Sequence, residues 1–308
     1  MRDFQQLEWN ETLADDCRQL ARLAVREDLD RGQDWTTVAL VPTDTQATAH
    51  LVARGPGIVA GLRAAEIVIE QMDSRLKVTA HVREGAVVQH NSRVATLVGP
   101  ARSILTAERP ILNFIGLLSG VATLTHKYVE AVAGTQARIY DTRKTIPGWR
   151  RLQKYAVRCG GGHNHRTGLF DAVLIKDNHL AFGAQQQGRS HYSPGQAVDR
   201  ARQFLADLPA NVSVREAVVE VEVESLDQLR DVLTRSPDLV LLDNRTLEQL
   251  CACVALRDEV APRVELEASG GVNLLTVRAI AETGVNRISV GALTHSATWF
   301  DVGLDWNV

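Results

Sequence analysis

The chain has 308 residues, 45% of them hydrophobic and 23% charged, with a formal net charge of −3. That balance is ordinary for a globular protein with an adequate core. It excludes a general nucleic-acid binder, which needs a broad basic face. The length suits one (β/α) barrel plus a smaller domain.

The first residues, MRDFQQLEWNETLADD, are polar and acidic, without the basic start and apolar run of a signal peptide. No apolar stretch is expected to reach the roughly 18 residues of a membrane span, so no membrane partner is expected. Cys17 and Cys159 are isolated, and Cys251 and Cys253 lack zinc-site spacing. All four read as reduced thiols of a cytoplasmic protein.

Residues 12–28 read as a helix ending in an acidic turn. The stretch ATAHLVARGPGIVAGL (47–62) alternates and then carries glycines, as strands joined by a turn would. Residues 62–72 read as a helix, and LKVTAHV and RVATLVG as strands on either side of REGAVVQHN. Together they predict an α+β unit with antiparallel strands. From Ile104 to Ala133 the pattern is helical, with a break expected at LLSG (117–120) and a domain boundary near residue 113.

The pattern then changes to short apolar strands that end in polar residues and lead into helices. The predicted strands are Arg138–Tyr140, Ala172–Ile175, Val218–Val223, Leu239–Leu242, Val264–Glu267 and Arg287–Val290. Ser225 and Gln228 predict a capping box, Ser193–Pro194 a cap with a first-turn proline, and Asn273 a cap on a helix stopping at Gly284. Strand–helix alternation predicts a parallel sheet. Asp141, Lys176, Asp177, Asp243, Asn244, Glu267 and Ser269 fall at several strand ends. That spread favours a barrel, whose site draws on all its strand ends, over a doubly wound sheet with one switch point.

In VVEVEVES (218–225), Glu220, Glu222 and Glu224 alternate with valines. An edge strand would leave them in water. A strand inside a parallel sheet would point some into the barrel, where a carboxylate needs a cation or a metal. EASGGVN (267–273) and SVGALTH (289–295) leave backbone N–H groups open, as phosphate-binding turns of barrels do; plain tight turns use the same residues.

Between Thr142 and Phe170 lie seven Lys/Arg and no Asp or Glu. Pro147 is read as starting a helix that carries Arg150, Arg151, Lys154 and Arg158, with much of its charge solvated. Gly160–Gly162 are read as letting the chain turn and approach a ligand. His163 and His165 have no third histidine nearby in sequence, which speaks against a histidine metal site. Lys176 is either a Schiff-base nucleophile or a plain cation.

DTRKTIPGWRRLQKYAVRCGGGHNHRTGLFDAVLIKDNH (141–179) closely resembles the signature of the quinolinate phosphoribosyltransferases. ERPILNFIGLLSGVAT, VEVEVES, LLDN, ASGGVN, ISVGALTH and, loosely, REDLDRGQDWTT extend the resemblance over nearly the whole chain in order. Pro110 departs from it, where a small residue is expected after Arg109. The resemblance implies an α/β fold: an N-terminal α/β (α+β) sandwich domain, residues 1–112, and an incomplete seven-stranded α/β barrel, residues 113–290. Residues 291–308 would return to the N-terminal domain.

It also implies phosphoribosyl transfer from 5-phosphoribosyl-1-pyrophosphate (PRPP) to quinolinate with decarboxylation, a step of NAD biosynthesis, using Mg2+ in a homodimer with shared active sites. The quinolinate cations would be Arg143, Lys144, His165, Arg166 and Lys176, beside Thr142, with Arg109 reaching in from the partner. Glu222 and Asp243 would serve the ribose and magnesium. Ser269, Gly270, Gly271, Val290, Gly291 and Ala292 would cradle phosphate. Lys144, Lys176, Glu222 and Asp243 are expected nearest the chemistry, with Lys176 a substrate cation and no covalent nucleophile needed. A molybdenum-transport-related protein of the same fold and a Schiff-base barrel aldolase are the alternatives.

Overall fold

The computed structural model describes residues 2–185, 192–235 and 237–307. The chain folds into two compact units that interleave in sequence. One takes the N-terminal residues through Gln6, then Tyr128–Arg143 and His163–Gly291; the other takes Leu7–Lys127, Lys144–Gly162 and the chain from Ala292. The chain from Ala292 groups with the α+β unit, and residue 113 lies inside one helix, Ala101–Ala131.

The second unit is the α+β layer. Its antiparallel sheet runs Val302–Asn307, Gln46–Ala53, Arg93–Pro100, Lys77–Ala80 in spatial order. The helix Leu62–Met72 buries Leu62, Ala64, Ala65, Ile67, Val68 and Ile69, and it packs on the helix Glu11–Leu29, whose N-terminus Asn10 caps through the Leu13 N–H.

The helix Ala101–Ala131 runs unbroken through 117–120. Gly120 is there for close approach: a Cβ on it would lie 2.3 Å from the Thr298 carbonyl oxygen. Packing thus overrides the roughly 1 kcal/mol that a glycine costs a helix. By length and composition this helix could cross a membrane, against the expectation from sequence, yet 72% of its apolar window is buried inside the fold.

The first unit is a barrel-like parallel sheet. Its strands are β1 Arg138–Tyr140, β2 Ala172–Ile175, β3 Val218–Val223, β4 Leu239–Asp243, β5 Glu265–Ser269 and β6 Arg287–Ser289. The spatial order is β2-β3-β4-β5-β6-β1. Neighbours follow chain order without reversal, and the first strand pairs with the last, so there is no switch point of the doubly wound kind. A one-residue parallel bridge from Tyr140 to His163 lies in place of a seventh strand.

The helices that alternate with these strands carry several predicted caps. Ser193 caps Pro194–Asp207 in a full capping box. Ser225 caps Leu226–Leu233 by accepting from the Gln228 N–H, but the Gln228 side chain accepts from the Glu224 N–H, so the predicted box is only half formed. Asn273 organises a turn that leads into Val277–Glu282, one turn later than predicted.

Candidate active site

Register fixes which side chains share the barrel interior. Glu220, Leu239 and Glu265 form one row; Glu222, Leu241, Glu267, Arg287 and Arg138 form the next. Asp243 pairs with Ser269, and Ser289 with Tyr140, one step further along. Because every strand is parallel, Arg143, Lys176, Glu222, Asp243, Ser269 and Gly291 all fall at the C-terminal end of the sheet, where barrel sites are built.

Lys176 Nζ reaches from the end of β2 to Glu222 on β3, 2.8 Å away. Lys176 is half-exposed and Glu222 largely covered. Arg166 is buried; burial, and then the charge of the exposed Arg143, push its pKa below the usual value. Two neighbouring guanidiniums, one of them desolvated, suit an anion, since arginine forks match carboxylates in bidentate fashion. Asp243 accepts a hydrogen bond from the Asn244 amide at 2.9 Å. Thr142, beside this group, is partly buried.

The turn before Arg166 is pinned from within. Asp141, fully buried, accepts from Asn164 Nδ2 at 2.7 Å and from the His165 N–H at 2.9 Å. His165 is buried and aims its ring into the barrel, with Nε2 3.1 Å from Glu220 and 3.5 Å from Glu267. Burial alone would lower the imidazole pKa; the charges of Glu220 and Glu267 overcome it and raise the value to about 10. The Arg166 N–H, 2.8 Å from Nδ1, opposes a second ring proton. Charge-assisted contacts of about 1.5–3 kcal/mol each outweigh one neutral bond of about 1 kcal/mol, so the ring holds its proton.

Burial and the neighbouring Glu267 raise the Glu220 pKa. For Glu267, burial is outweighed by His165 and by the Ser289 hydroxyl donating to it, so its pKa is lowered and it carries the negative charge. These three side chains have the spacing of a metal cluster. His165 and Arg287 both set positive charge against the two carboxylates.

The glycine turn after β5 has a specific cause. Gly270 adopts φ +90°, and a Cβ on it would lie 2.2 Å from Asn244 Oδ1. Asn244 itself has φ +51°, and its N–H donates to the Ser269 carbonyl at 2.8 Å. The space beside Gly271 is open. After β6, the buried Val290 donates its N–H to the Tyr140 carbonyl at 2.9 Å, so that amide serves the sheet. Gly291 follows it.

Arg109, Lys144 and Ala292 belong to the α+β unit. Arg109 is exposed on the long helix and makes no ion pair among the described residues. Lys144 is exposed, and its carbonyl accepts from the Thr294 hydroxyl at 2.7 Å. The basic helix is also in this unit and starts at Arg150, after a turn through Pro147 and Gly148. Its charge is less solvated than predicted: Arg151 pairs with Asp16 at 2.8 Å, Arg158 donates to the Gly162 carbonyl at 2.6 Å, and Lys154 is fully buried.

Gly160 and Gly162 lie close against the protein itself. A Cβ on Gly160 would lie 2.3 Å from the Ala122 carbonyl oxygen, and one on Gly162 2.6 Å from Thr125 Cγ2.

Sequence reasoning set Glu220 on a strand that could face the barrel and Glu267 at a strand end without giving either a role, and it missed Ser289, Phe4 and Gln6. The VEVEV alternation did carry a signal, since it places Glu220 on the same face as Glu222. Nothing local marked Phe4 or Gln6.

Comparison with known proteins agrees with this arrangement. Family models for the quinolinate phosphoribosyl transferase N-terminal and C-terminal domains match residues 34–119 and 121–305. A Mycobacterium leprae nicotinate-nucleotide pyrophosphorylase [carboxylating] is 45% identical over 94% of this chain and 97% of its own. The mitochondrial quinolinate phosphoribosyltransferase [decarboxylating] 2b of Nicotiana tabacum is 36% identical over 94% of this chain and 82% of its own. The solved nicotinate-nucleotide pyrophosphorylase of Francisella tularensis superposes with a TM-score of 0.86 at 38% identity, covering 99% of this chain and all of that one. With both family domains matched end to end, and with cations and carboxylates at one end of a parallel barrel, this chain belongs to the quinolinate phosphoribosyltransferase family.

Proposed function

We propose that the chain joins quinolinate to PRPP, giving nicotinate mononucleotide, pyrophosphate and carbon dioxide in NAD biosynthesis. The observation that carries this is the pairing of chemistries at one end of the barrel: Arg143, Arg166 and Lys176 for a flat dianion, with Glu222 and Asp243 beside them. His165 contributes positive charge from below and holds the turn that bears Arg166. Gly270, Gly271 and Gly291, with Ser269 and the next residue Ala292, are read as the phosphate cradle. Val290 takes part through its position, since its N–H is spent on β1.

The residues position and neutralise. As pyrophosphate leaves C1 of the ribose, positive charge develops there, and Glu222 and Asp243 stabilise it. The quinolinate nitrogen, oriented by the cations on its two carboxylates, forms the bond to C1. The ring nitrogen is then cationic and accepts the electron pair released when the C2 carboxylate departs as carbon dioxide; a proton replaces it at C2. Lys176 acts in this scheme as a substrate cation and forms no imine.

Magnesium fits the donor set, since Glu222 and Asp243 offer hard carboxylate oxygens on adjacent strands. When bound it would neutralise the pyrophosphate of PRPP. We read the protein as a homodimer in which Arg109 of each subunit serves the other's barrel, and as cytoplasmic. The test is product analysis: protein with quinolinate, PRPP and magnesium should yield nicotinate mononucleotide, and nicotinate in place of quinolinate should not. Comparable turnover of nicotinate would contradict the reading.

A further inference from the structure

Residues 3–6 belong to the barrel unit, although they precede the whole α+β layer in sequence. Phe4 is buried with Tyr140, Ala172, Val218 and Leu239. The last three are the first residues of β2, β3 and β4, so Phe4 closes the end of the barrel opposite the catalytic one. Its ring stacks on His165, with centroids 4.2 Å apart and planes 28° apart. Gln6 takes both backbone groups of Asn164: its amide donates to the Asn164 carbonyl at 3.0 Å, and its carbonyl accepts the Asn164 N–H at 2.8 Å. Asp3 anchors the segment by an ion pair with the buried Arg287 at 2.7 Å.

We propose that Phe4 and Gln6 are positioning residues for quinolinate binding. The Asn164–Arg166 turn is gripped on one side by Asp141 and on the other by this N-terminal segment. Arg166 follows directly from the stacked His165, so its place depends on that grip. Polar groups aimed at one flat dianion tolerate little displacement: an error of about 1 Å in such an arrangement can cost on the order of 100-fold. Glu222, Asp243 and the glycine turns lie on other strands; among the described residues the segment's hydrogen bonds to the barrel run to Asn164 and Arg287, not to them.

The inference rests on the proposed role of Arg166, so the test separates the two. Steady-state kinetics of the full chain are measured for Phe4→Ala, Gln6→Ala and Arg166→Ala. Phe4→Ala should raise the quinolinate KM about tenfold or more while the PRPP KM moves by less than about twofold, and Gln6→Ala should do the same more weakly. A general loss of stability would lower the amount of active enzyme, and so the apparent kcat, and leave both KM values in place. Equal effects on the two substrates, or no effect in either variant, overturn the inference. If Phe4→Ala does not fold, Gln6→Ala decides alone, because it removes three hydrogen bonds, two to Asn164 and one to the Phe4 carbonyl, at a partly exposed site. If Arg166→Ala leaves quinolinate binding unchanged, the reading of Arg166 fails instead.

Discussion

Lys176 and Glu222 bridge adjacent strand ends at 2.8 Å, joining a cation read as binding quinolinate to a carboxylate read as facing the ribose. Each holds the other in place before substrates arrive. Glu222→Gln keeps the shape and removes the charge. It should lower PRPP affinity or kcat by at least about tenfold, about 1.4 kcal/mol, with a much smaller change in quinolinate binding. Equilibrium binding of each substrate, together with turnover, checks this; unchanged PRPP affinity and turnover would remove Glu222 from the donor site.

The His165 cluster predicts a pH dependence of stability. The folded pKa, about 10, lies above the unfolded value of about 6.5. The folded state therefore binds the extra proton more tightly, and stability falls where it alone retains that proton. The contribution is fully present below about pH 6.5 and is lost as pH rises toward about 10. Denaturant unfolding between pH 6 and 10 should show this decline, and Glu267→Gln should flatten it. A slope unaffected by Glu267→Gln would place the titration elsewhere.

Gly160 separates packing from ligand contact. Gly160→Ala drives a Cβ into the Ala122 carbonyl, so it should lower stability by roughly 1–3 kcal/mol or more. The surviving folded protein should keep its substrate constants. Thermal unfolding and KM values measured on the same sample test both halves, and a normal melting temperature with weakened quinolinate binding would return the glycine to the ligand.

Much of the fold was legible because its signals are local. β1, β2 and β3 lie where their apolar runs placed them, and Ser193 caps its helix as the Ser-Pro pair predicted. What was not legible depends on partners distant in sequence. Gly120 looks like a helix breaker until Thr298 is found against it, and Gly160 looks like a ligand contact until Ala122 is. Glu220 can be told from a solvated glutamate only once His165 and Glu267 are placed beside it. Phe4 and Gln6 act on a turn some 160 residues away, so no window of sequence contains both halves.

Arg109 tests the shared-site dimer. Exposed on the long helix and without an ion pair among the described residues, it is available to a second subunit. Arg109→Ala and Lys176→Ala should each be nearly inactive. In a heterodimer of the two, one site carries both defects and the other neither. An equal mixture with free exchange should then recover about one quarter of wild-type activity, half in each heterodimer. Heterodimers that form without recovery would show that Arg109 does not act in trans.

The central claim is phosphoribosyl transfer coupled to loss of the C2 carboxylate, and it is tested most directly by isotope position. Quinolinate labelled in either carboxyl is incubated with the protein, PRPP and magnesium. Label at the C2 carboxyl should leave as carbon dioxide, mole for mole with pyrophosphate, and label at the C3 carboxyl should stay in the nucleotide. Pyrophosphate release with both labels retained, or no release with either, would contradict the account.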